Sequence, residues 1–538
     1  MGARHPIRTL LALLLVAAVA VLSACGGEGE SGAGKNSKRN AEAFGYMVNT
    51  RLATTNAGTS FGAATGAAQL STRLYPAVYL PGPAGQIIPN SDLVLTEVLP
   101  ANPEHPGLRV GYTLSEKARF SDGVPVTCDD FLLAFTAGVM SADFGSHLPL
   151  TQEITSFDCA PNSKTFTVSF SEDGGQRWRY LFGPGTVMPA HALARKAGMS
   201  MEELNDALSM QDSALLEEVA REWRYGFSTA AGEFDPELQV SYGPFVIDHI
   251  GDAGEVVLKA NPEYDGDQPE LDTIVVWPNT ADAAELNRRG GLRVVDAAST
   301  SPQWFNRNAA DNPFEVDDYV GALTETLTLS ESGIFAQQWA REAFSHCVDQ
   351  AKLAEISSRA SGITVPPLYL RTLRQGDPLG ERLASISQAH EKADPQAAAD
   401  LAGSTIRIGY LGPDQRYAAM VAEIARTCEP VGITVVDESA EYMSQHYLEM
   451  DPVTAMPTVD AFLGPVDPLS EYPAPEPSIS QLGAIRAREE ALWEEIPSIP
   501  VAAQPRAFIV DRDVQGVVPY TGPAGIGWNM DRWSVGVS

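Results

Sequence analysis

Strand-like and helix-like segments alternate along most of this 538-residue chain. Residues 108–114 and 164–170 carry the alternating side chains of strands, whereas 201–224 and 334–355 have the composition and apolar spacing of helices. Residues 404–436 give a strand, a helix and a second strand, which is typical of a βαβ unit. The pattern predicts an α/β protein, and the length suggests two or three domains.

The charge of the chain narrows the choice of partners. It has 37 basic and 69 acidic residues and a formal net charge of −32. A phosphate-binding surface would work against this negative field, so we expect no nucleic-acid partner. The hydrophobic content of 44% is enough to bury substantial cores, which excludes a disordered or fibrous chain.

Residues 1–24 have the features of an export signal. Arg4 and Arg8 precede an apolar run that is shorter than the roughly 20 residues needed to span a bilayer. The run ends at Leu-Ser-Ala-Cys, which resembles a bacterial lipobox with Cys25 as the lipid attachment site. A plain secretory signal with an incidental thiol is the alternative. Residues 25–44 are mostly polar and glycine-rich, so we expect a flexible tether and a protein anchored by lipid to the outer face of the cell membrane.

Four cysteines remain after Cys25, at positions 128, 159, 347 and 428. An even number in an exported chain favours two disulfides, in any of three connectivities. Buried free thiols are the alternative. There is no CxxC motif, which weighs against zinc binding and dithiol redox chemistry.

Two motifs of common catalytic chemistry are absent from the sequence. It contains no HExxH or Walker A pattern, and its eight histidines have no metal-ligand spacing. We therefore predict a protein that is not an enzyme and that holds no cofactor and no metal.

Several short blocks resemble the family 5 extracellular solute-binding proteins, which include the oligopeptide, dipeptide and nickel receptors of ABC importers. The first block is ARFSDGVPVTCDDF at 118–131, a tight turn followed by a capped helix with an acidic first turn. Further blocks follow in the family's order, at 242–245, 259–264, 269–274, 340–353, 428–435 and 496–501.

The resemblance implies a two-lobed periplasmic-binding-protein-like fold of type II, with an extra subdomain and a hinge between the lobes. Carried onto this chain, lobe I comprises 45–280 plus 490–538, with the inserted subdomain at about 80–185, and lobe II comprises 281–489. Pairing Cys128 with Cys159 and Cys347 with Cys428 would then place each disulfide within one lobe.

The same resemblance implies a receptor that closes on a small peptide or other polar solute and delivers it to an ABC permease complex. A second reading comes from 67–81 and 522–528, which look like the LpqW-type lipoproteins of actinobacteria. Those proteins share the fold but are associated with regulation of membrane glycolipid mannosylation. On that reading the partner is a membrane glycosyltransferase.

The candidate ligand-binding residues also come from the resemblance. Peptide receptors of this family carry a Trp-x-x-Asp segment whose acid takes the peptide α-amine; here Asp467 matches the acid and Gly464 stands at the tryptophan position. Asp467 could instead begin an Asp-Pro surface turn. The remaining candidates are polar or aromatic side chains that could line a cleft or pack within the fold: Thr54, Thr55, Asn56, Trp178, Tyr180 and Trp304.

Overall fold

The computed structural model describes residues 43–82, 86–100 and 102–536. The export signal, Cys25 and nearly all of the predicted tether lie outside these residues. Within the described ranges, no helix is both long enough and apolar enough to cross a membrane.

Strands and helices alternate through the described chain, which confirms the predicted α/β class. The strands are β1 Phe44–Met47, β2 Tyr79–Pro81, β3 Ile87–Pro89, β4 Val94–Leu99, β5 Arg109–Leu114, β6 Ile154–Asp158, β7 Thr165–Phe170, β8 Phe245–Ile250, β9 Val256–Ala260, β10 Thr273–Trp277, β11 Leu292–Ala297, β12 Phe314–Leu329, β13 Thr405–Gly409, β14 Thr434–Asp437, β15 Ala461–Val466, β16 Ser498–Asp511, β17 Val514–Gln515 and β18 Ser534–Val535. The α-helices are α1 Ser60–Ala64, α2 Ala68–Ser71, α3 Cys128–Val139, α4 Ser141–Phe144, α5 Ala190–Ala197, α6 Met201–Met210, α7 Ser213–Tyr225, α8 Ala283–Arg289, α9 Gln338–Ser345, α10 Gln350–Ser361, α11 Leu379–Arg382, α12 Ala384–His390, α13 Gln415–Cys428, α14 Pro468–Glu471 and α15 Leu482–Glu495.

One sheet of ten strands runs through the molecule in the order β14-β13-β15-β12-β16-β11-β1-β10-β9-β8. Strands β13 and β14 pair in parallel on either side of α13 in the chain, which is the βαβ unit predicted at 404–436. The long strands β12 and β16 pair antiparallel over most of their length. A separate four-stranded antiparallel sheet, in the order β4-β5-β7-β6, lies within the predicted inserted subdomain.

The central strands of the large sheet separate two hydrophobic cores. Along β1 and β16, neighbouring residues face opposite sides: Tyr46 and Phe508 belong to the first core, whereas Met47 and Ile509 belong to the second. This follows from the two-residue side-chain period of a strand. The first core otherwise gathers side chains mainly from 44–276 and 526–533, and the second mainly from 286–509. We call the parts packed around these cores the first lobe and the second lobe.

Two segments predicted as single helices are each divided in the structure. The helix predicted at 201–224 is interrupted at Gln211, which adopts a left-handed conformation with φ of 52°, and Asp212 then caps α7 by accepting from two backbone amides. The helix predicted at 334–355 is interrupted before Asp349, whose carboxylate accepts from Lys352 N and starts α10. In both places the carboxylate of a capping aspartate satisfies backbone amides at a new helix start.

The four described cysteines form two disulfides. Cys128 bonds to Cys159, and Cys347 bonds to Cys428. The first joins the start of α3 to the segment after β6, and the second joins the segment after α9 to the end of α13. Each bridge thus connects elements of one core, and the connectivity is that of nearest neighbours along the chain.

Candidate functional site

A cavity of about 770 Å³ is lined by residues of both lobes and of strand β16. From the first lobe it takes residues around α1 and α2 and the loops at 147–151 and 180–186. From the second lobe it takes the start of α13 and the segment 465–471. Gln504, Pro505 and Arg506 of β16 complete the wall. The cavity therefore lies between the two cores, where a ligand could contact both lobes.

Arg177 joins the lobes beside this cavity. Its side chain is fully buried, and its guanidinium donates hydrogen bonds to backbone carbonyls of the second lobe, at 2.6 Å to Thr372 O and 2.6 Å to Pro468 O. It also donates to Tyr472 O and Pro475 O. Burial lowers the pKa of Arg177 to about 10, partly offset by Asp467 and Glu476, so the group remains charged at neutral pH. The Arg177 guanidinium thus connects the two lobes through hydrogen bonds to backbone carbonyls.

His147 and Glu471 form a second link between the lobes, and both line the cavity. The imidazole Nε2 lies 2.8 Å from Glu471 Oε2. Burial opposes the charged imidazolium, but the Glu471 carboxylate and its hydrogen bond outweigh burial and raise the pKa of His147 above its usual value. Arg51 makes a third link by donating to Gly412 O at 3.2 Å and by pairing with Glu441. The site therefore has polar connections across it on more than one side.

Asp467 lies in the cavity wall, but its carboxylate is already bound within the protein. Arg374 donates to both of its oxygens, with Nε–Oδ1 at 2.8 Å and Nη2–Oδ2 at 2.6 Å. Asp467 also caps α14 by accepting from Leu469 N. Burial disfavours the Arg374 charge, yet Asp467 outweighs it and raises the pKa of Arg374. A ligand amine would have to compete with this bidentate pair.

Gly464 is buried in β15 and is not among the described residues that line the cavity. A Cβ at this position would lie 2.7 Å from Cε1 of Phe462, which does line the cavity. An aromatic side chain therefore cannot replace Gly464 unless Phe462 moves. Phe462, rather than the residue at position 464, lines this part of the cavity.

Thr54, Thr55 and Asn56 are buried and serve the fold of the first lobe. Thr55 Oγ1 donates to Gln239 Oε1 at 3.1 Å, and Asn56 Nδ2 donates to Trp223 O at 2.9 Å. Thr54 Oγ1 accepts from Asn56 N. In the described chain none of the three borders the cavity, although their neighbour Ala57 does.

The three aromatic candidates are separated in the structure. Tyr180 lines the cavity, and the Arg374 guanidinium lies 5.8 Å from its ring centroid. Trp178 instead packs edge-on against Tyr79 and Tyr112 in the first core. Trp304 packs against Phe305 and Phe314 beside the second core. Neither tryptophan is among the described lining residues.

Further cavity residues pair with buried acids and were not found from the sequence. Arg416 Nη2 lies 2.9 Å from Glu325 Oε1, and the Tyr417 hydroxyl donates to the same carboxylate. Arg506 pairs with Asp296, and both are almost fully buried. These partners are distant in the sequence, so no local spacing could have identified them. The one detectable element was the helix predicted within 404–436, which is α13 in the structure and has Asp414 as its cap.

Among the described lining residues there is no cysteine, and the single histidine is bound to Glu471. In the described chain, the one group of three side chains close enough to share a metal is Cys128, Asp129 and Cys159, whose two sulfurs form a disulfide.

Sequence comparison gives relatives that match nearly the whole chain. An uncharacterized lipoprotein of Mycobacterium tuberculosis is 29% identical over 531 residues, covering 91% of this chain and 92% of that protein. That protein and other matched mycobacterial relatives are named lipoproteins.

Structural comparison gives two-lobed binding proteins. The oligopeptide-binding protein of Thermus thermophilus, solved with a pentapeptide, superimposes with a TM-score of 0.66 at 12% identity, covering 91% of this chain and 96% of that one. The binding protein AgaA of A. tumefaciens, solved with agropinic acid, gives a TM-score of 0.65 at 16% identity, covering 92% and 99%. The sequence model "Bacterial extracellular solute-binding proteins, family 5 Middle" matches residues 102–445. With the fold and the cavity between the lobes, this match shows that the chain belongs to the family 5 bacterial extracellular solute-binding proteins.

Proposed function

We propose that the protein is a lipid-anchored extracytoplasmic receptor that encloses a small polar solute, in the size range of a short peptide, and delivers it to an ABC permease complex. The observation that carries the proposal is the cavity of about 770 Å³ to which both lobes contribute walls. This volume is within the range of roughly 300–1,000 Å³ typical of small-ligand sites.

The contacts between the lobes support enclosure of the solute. Arg177, His147 and Arg51 each belong to the first lobe and each bind groups of the second. Such contacts form when the lobes close and break when they open, so they supply part of the free energy of hinge closure. A solute held between the lobes adds to that free energy by an amount that rises with the logarithm of its concentration relative to its Kd.

The solved relatives support a broad choice of solute. The two structures hold a pentapeptide and agropinic acid, so one fold accommodates ligands of different chemistry. Short peptides are the first class to test on this chain.

Native mass spectrometry of the protein purified without denaturation tests the proposal. We expect a population with a bound small molecule that is released on unfolding. Ala298 lies in the cavity wall and is exposed there, so Ala298→Trp should remove the bound mass by filling the space. Ala397, which is exposed and away from the cavity, gives the matched control Ala397→Trp, which should retain it.

The partner is tested separately, by crosslinking in membranes of the native cell. Recovery of permease and ATPase subunits is the expected result. Recovery of a membrane glycosyltransferase without them would replace delivery to a permease with regulation of glycolipid synthesis. Protein that carries no ligand when purified, and that is not stabilised by any of a broad panel of peptides, nickel and mannosylated phosphoinositides, would contradict solute binding itself.

A further inference from the structure

Every charged side chain that lines the cavity in the described chain already has a partner in the protein. Most of these side chains form ion pairs with another wall residue or with a residue just behind the wall. The pairs are Arg51 with Glu441, His147 with Glu471, Arg416 with Glu325, Asp467 with Arg374 and Arg506 with Asp296. Asp414 instead accepts hydrogen bonds from backbone amides of α13. An added ligand charge would lose its hydration without finding a free counter-charge, which is unfavourable in an enclosed site.

The hydrogen-bonding groups left over in the wall are neutral. Within the described ranges, the side chains of Thr50, Thr280, Gln415, Gln445 and Ser470 line the cavity and have no hydrogen-bond partner. Tyr180 adds a phenol whose pKa is raised to about 12 by burial, so it stays protonated at neutral pH. Hydroxyls and primary amides both donate and accept, and their natural complements are other hydroxyls and amides.

From this distribution of charge we infer that the cavity selects an uncharged solute rich in hydroxyl or amide groups, and discriminates against solutes with a free ammonium or carboxylate terminus. The inference rests on the proposed function and narrows its ligand. Two sources share this chemistry: an oligosaccharide and a peptide whose ends are blocked.

Ligand pairs that compare an uncharged molecule with a closely related charged one test the inference by titration calorimetry at neutral pH. One pair is N-acetyl-trialanine amide and trialanine; the other is maltotriose and its oxidised form, maltotrionic acid. We expect the neutral member of whichever pair binds to bind about tenfold or more tightly. Which pair binds distinguishes the two sources, and tighter binding of a charged member overturns the inference.

A variant in which one charged wall residue, Arg51, loses its acidic partner provides a second test of the inference. Glu441 is exposed, so Glu441→Gln should fold normally while removing the acid beside Arg51. We expect this variant to bind maltotrionic acid about threefold or more tightly than the unmodified protein, because Arg51 becomes available to a carboxylate. The exposed Glu438 gives the control Glu438→Gln, for which no gain is expected. Equal behaviour of both variants and the parent counts against the inference.

Failure of the inference differs from failure of the proposed function. If neither pair binds, the molecule released in native mass spectrometry decides: an uncharged molecule supports the inference, and one with a charged terminus overturns it while leaving solute binding intact. Absence of any bound molecule and of any binding contradicts the proposed function, and the inference with it.

Discussion

The guanidinium of Arg177 in the first lobe donates a 2.6 Å hydrogen bond to the backbone carbonyl of Thr372 in the second. The same group reaches three further carbonyls of that lobe, so one fully buried side chain satisfies four main-chain acceptors. One of these acceptors, Pro468, follows Asp467, which lines the cavity. Arg177 thus makes one of the polar links between the lobes, beside those of His147 and Arg51.

Replacing Arg177 should loosen this junction. Arg177→Met leaves buried carbonyls without donors, and we expect the free energy of unfolding to fall by about 3 kcal/mol. Chemical denaturation measures the loss, and small-angle scattering should show a larger radius of gyration. Arg179→Met is the matched control: Arg179 is partly exposed and lies 3.9 Å from Glu476, so we expect a change within about 0.5 kcal/mol. Equal effects of the two substitutions would contradict the role of Arg177.

Asp467 and Arg374 should behave as a coupled structural pair. Asp467→Asn and Arg374→Gln should each destabilise the fold, and the double variant should lose less than the sum, with a coupling energy of about 2 kcal/mol or more. Equilibrium unfolding of the four proteins in the cycle gives this value. If Asp467 mainly received a ligand amine, Asp467→Asn would leave stability unchanged and weaken only the binding of amines.

The His147–Glu471 contact predicts a pH dependence of stability. The pKa of His147 is raised in the folded state, so its contribution is fully present below the unfolded pKa of about 6.5 and is lost as pH rises through the folded pKa. The stability difference between the parent and His147→Gln should therefore be larger at pH 6 than at pH 9.

Glu471→Gln provides the companion measurement for that prediction. Without the carboxylate, the His147 imidazolium loses the partner that raises its pKa, and the pH dependence should largely disappear. Melting temperatures across this pH range measure both effects. A His147→Gln difference that stays constant with pH, or that grows toward high pH, would show that the pair does not titrate as described.

The two disulfides should differ in their contribution to stability. The Cys347–Cys428 pair is separated by 81 residues and the Cys128–Cys159 pair by 31. Loop-closure entropy predicts losses of about 4–5 kcal/mol for the first and about 3–4 kcal/mol for the second when both cysteines of a pair become serine. Denaturant titration of the two double variants checks the order; a larger loss for the shorter loop would contradict the entropic account.

Local sequence patterns predicted the elements of the fold but not the residues of the site. The strands predicted at 108–114 and 164–170 from their alternating side chains are β5 and β7 in the structure. The break at Gln211 was missed because the helical composition continues through it, and only the capping by Asp212 reveals the new start.

The site depends on contacts between residues that are far apart in the chain. Arg177 and Thr372 are 195 positions apart, and His147 and Glu471 are 324 apart, so neither pairing leaves a local pattern. The resemblance matched Asp467 to a ligand-binding acid, and in the structure Asp467 and Tyr180 both line the cavity. It could not indicate that Arg374 occupies the Asp467 carboxylate, because Arg374 is 93 positions away in the chain.

The most direct test of the central claim is hydrogen–deuterium exchange of the protein with and without the solute it carries when purified. Removal of the solute should increase amide exchange together in 57–69 and 147–151 of the first lobe and in 411–417 and 465–471 of the second, because a ligand between the lobes protects both walls. Exchange that is unchanged, or that rises on one lobe alone, would contradict binding between the lobes.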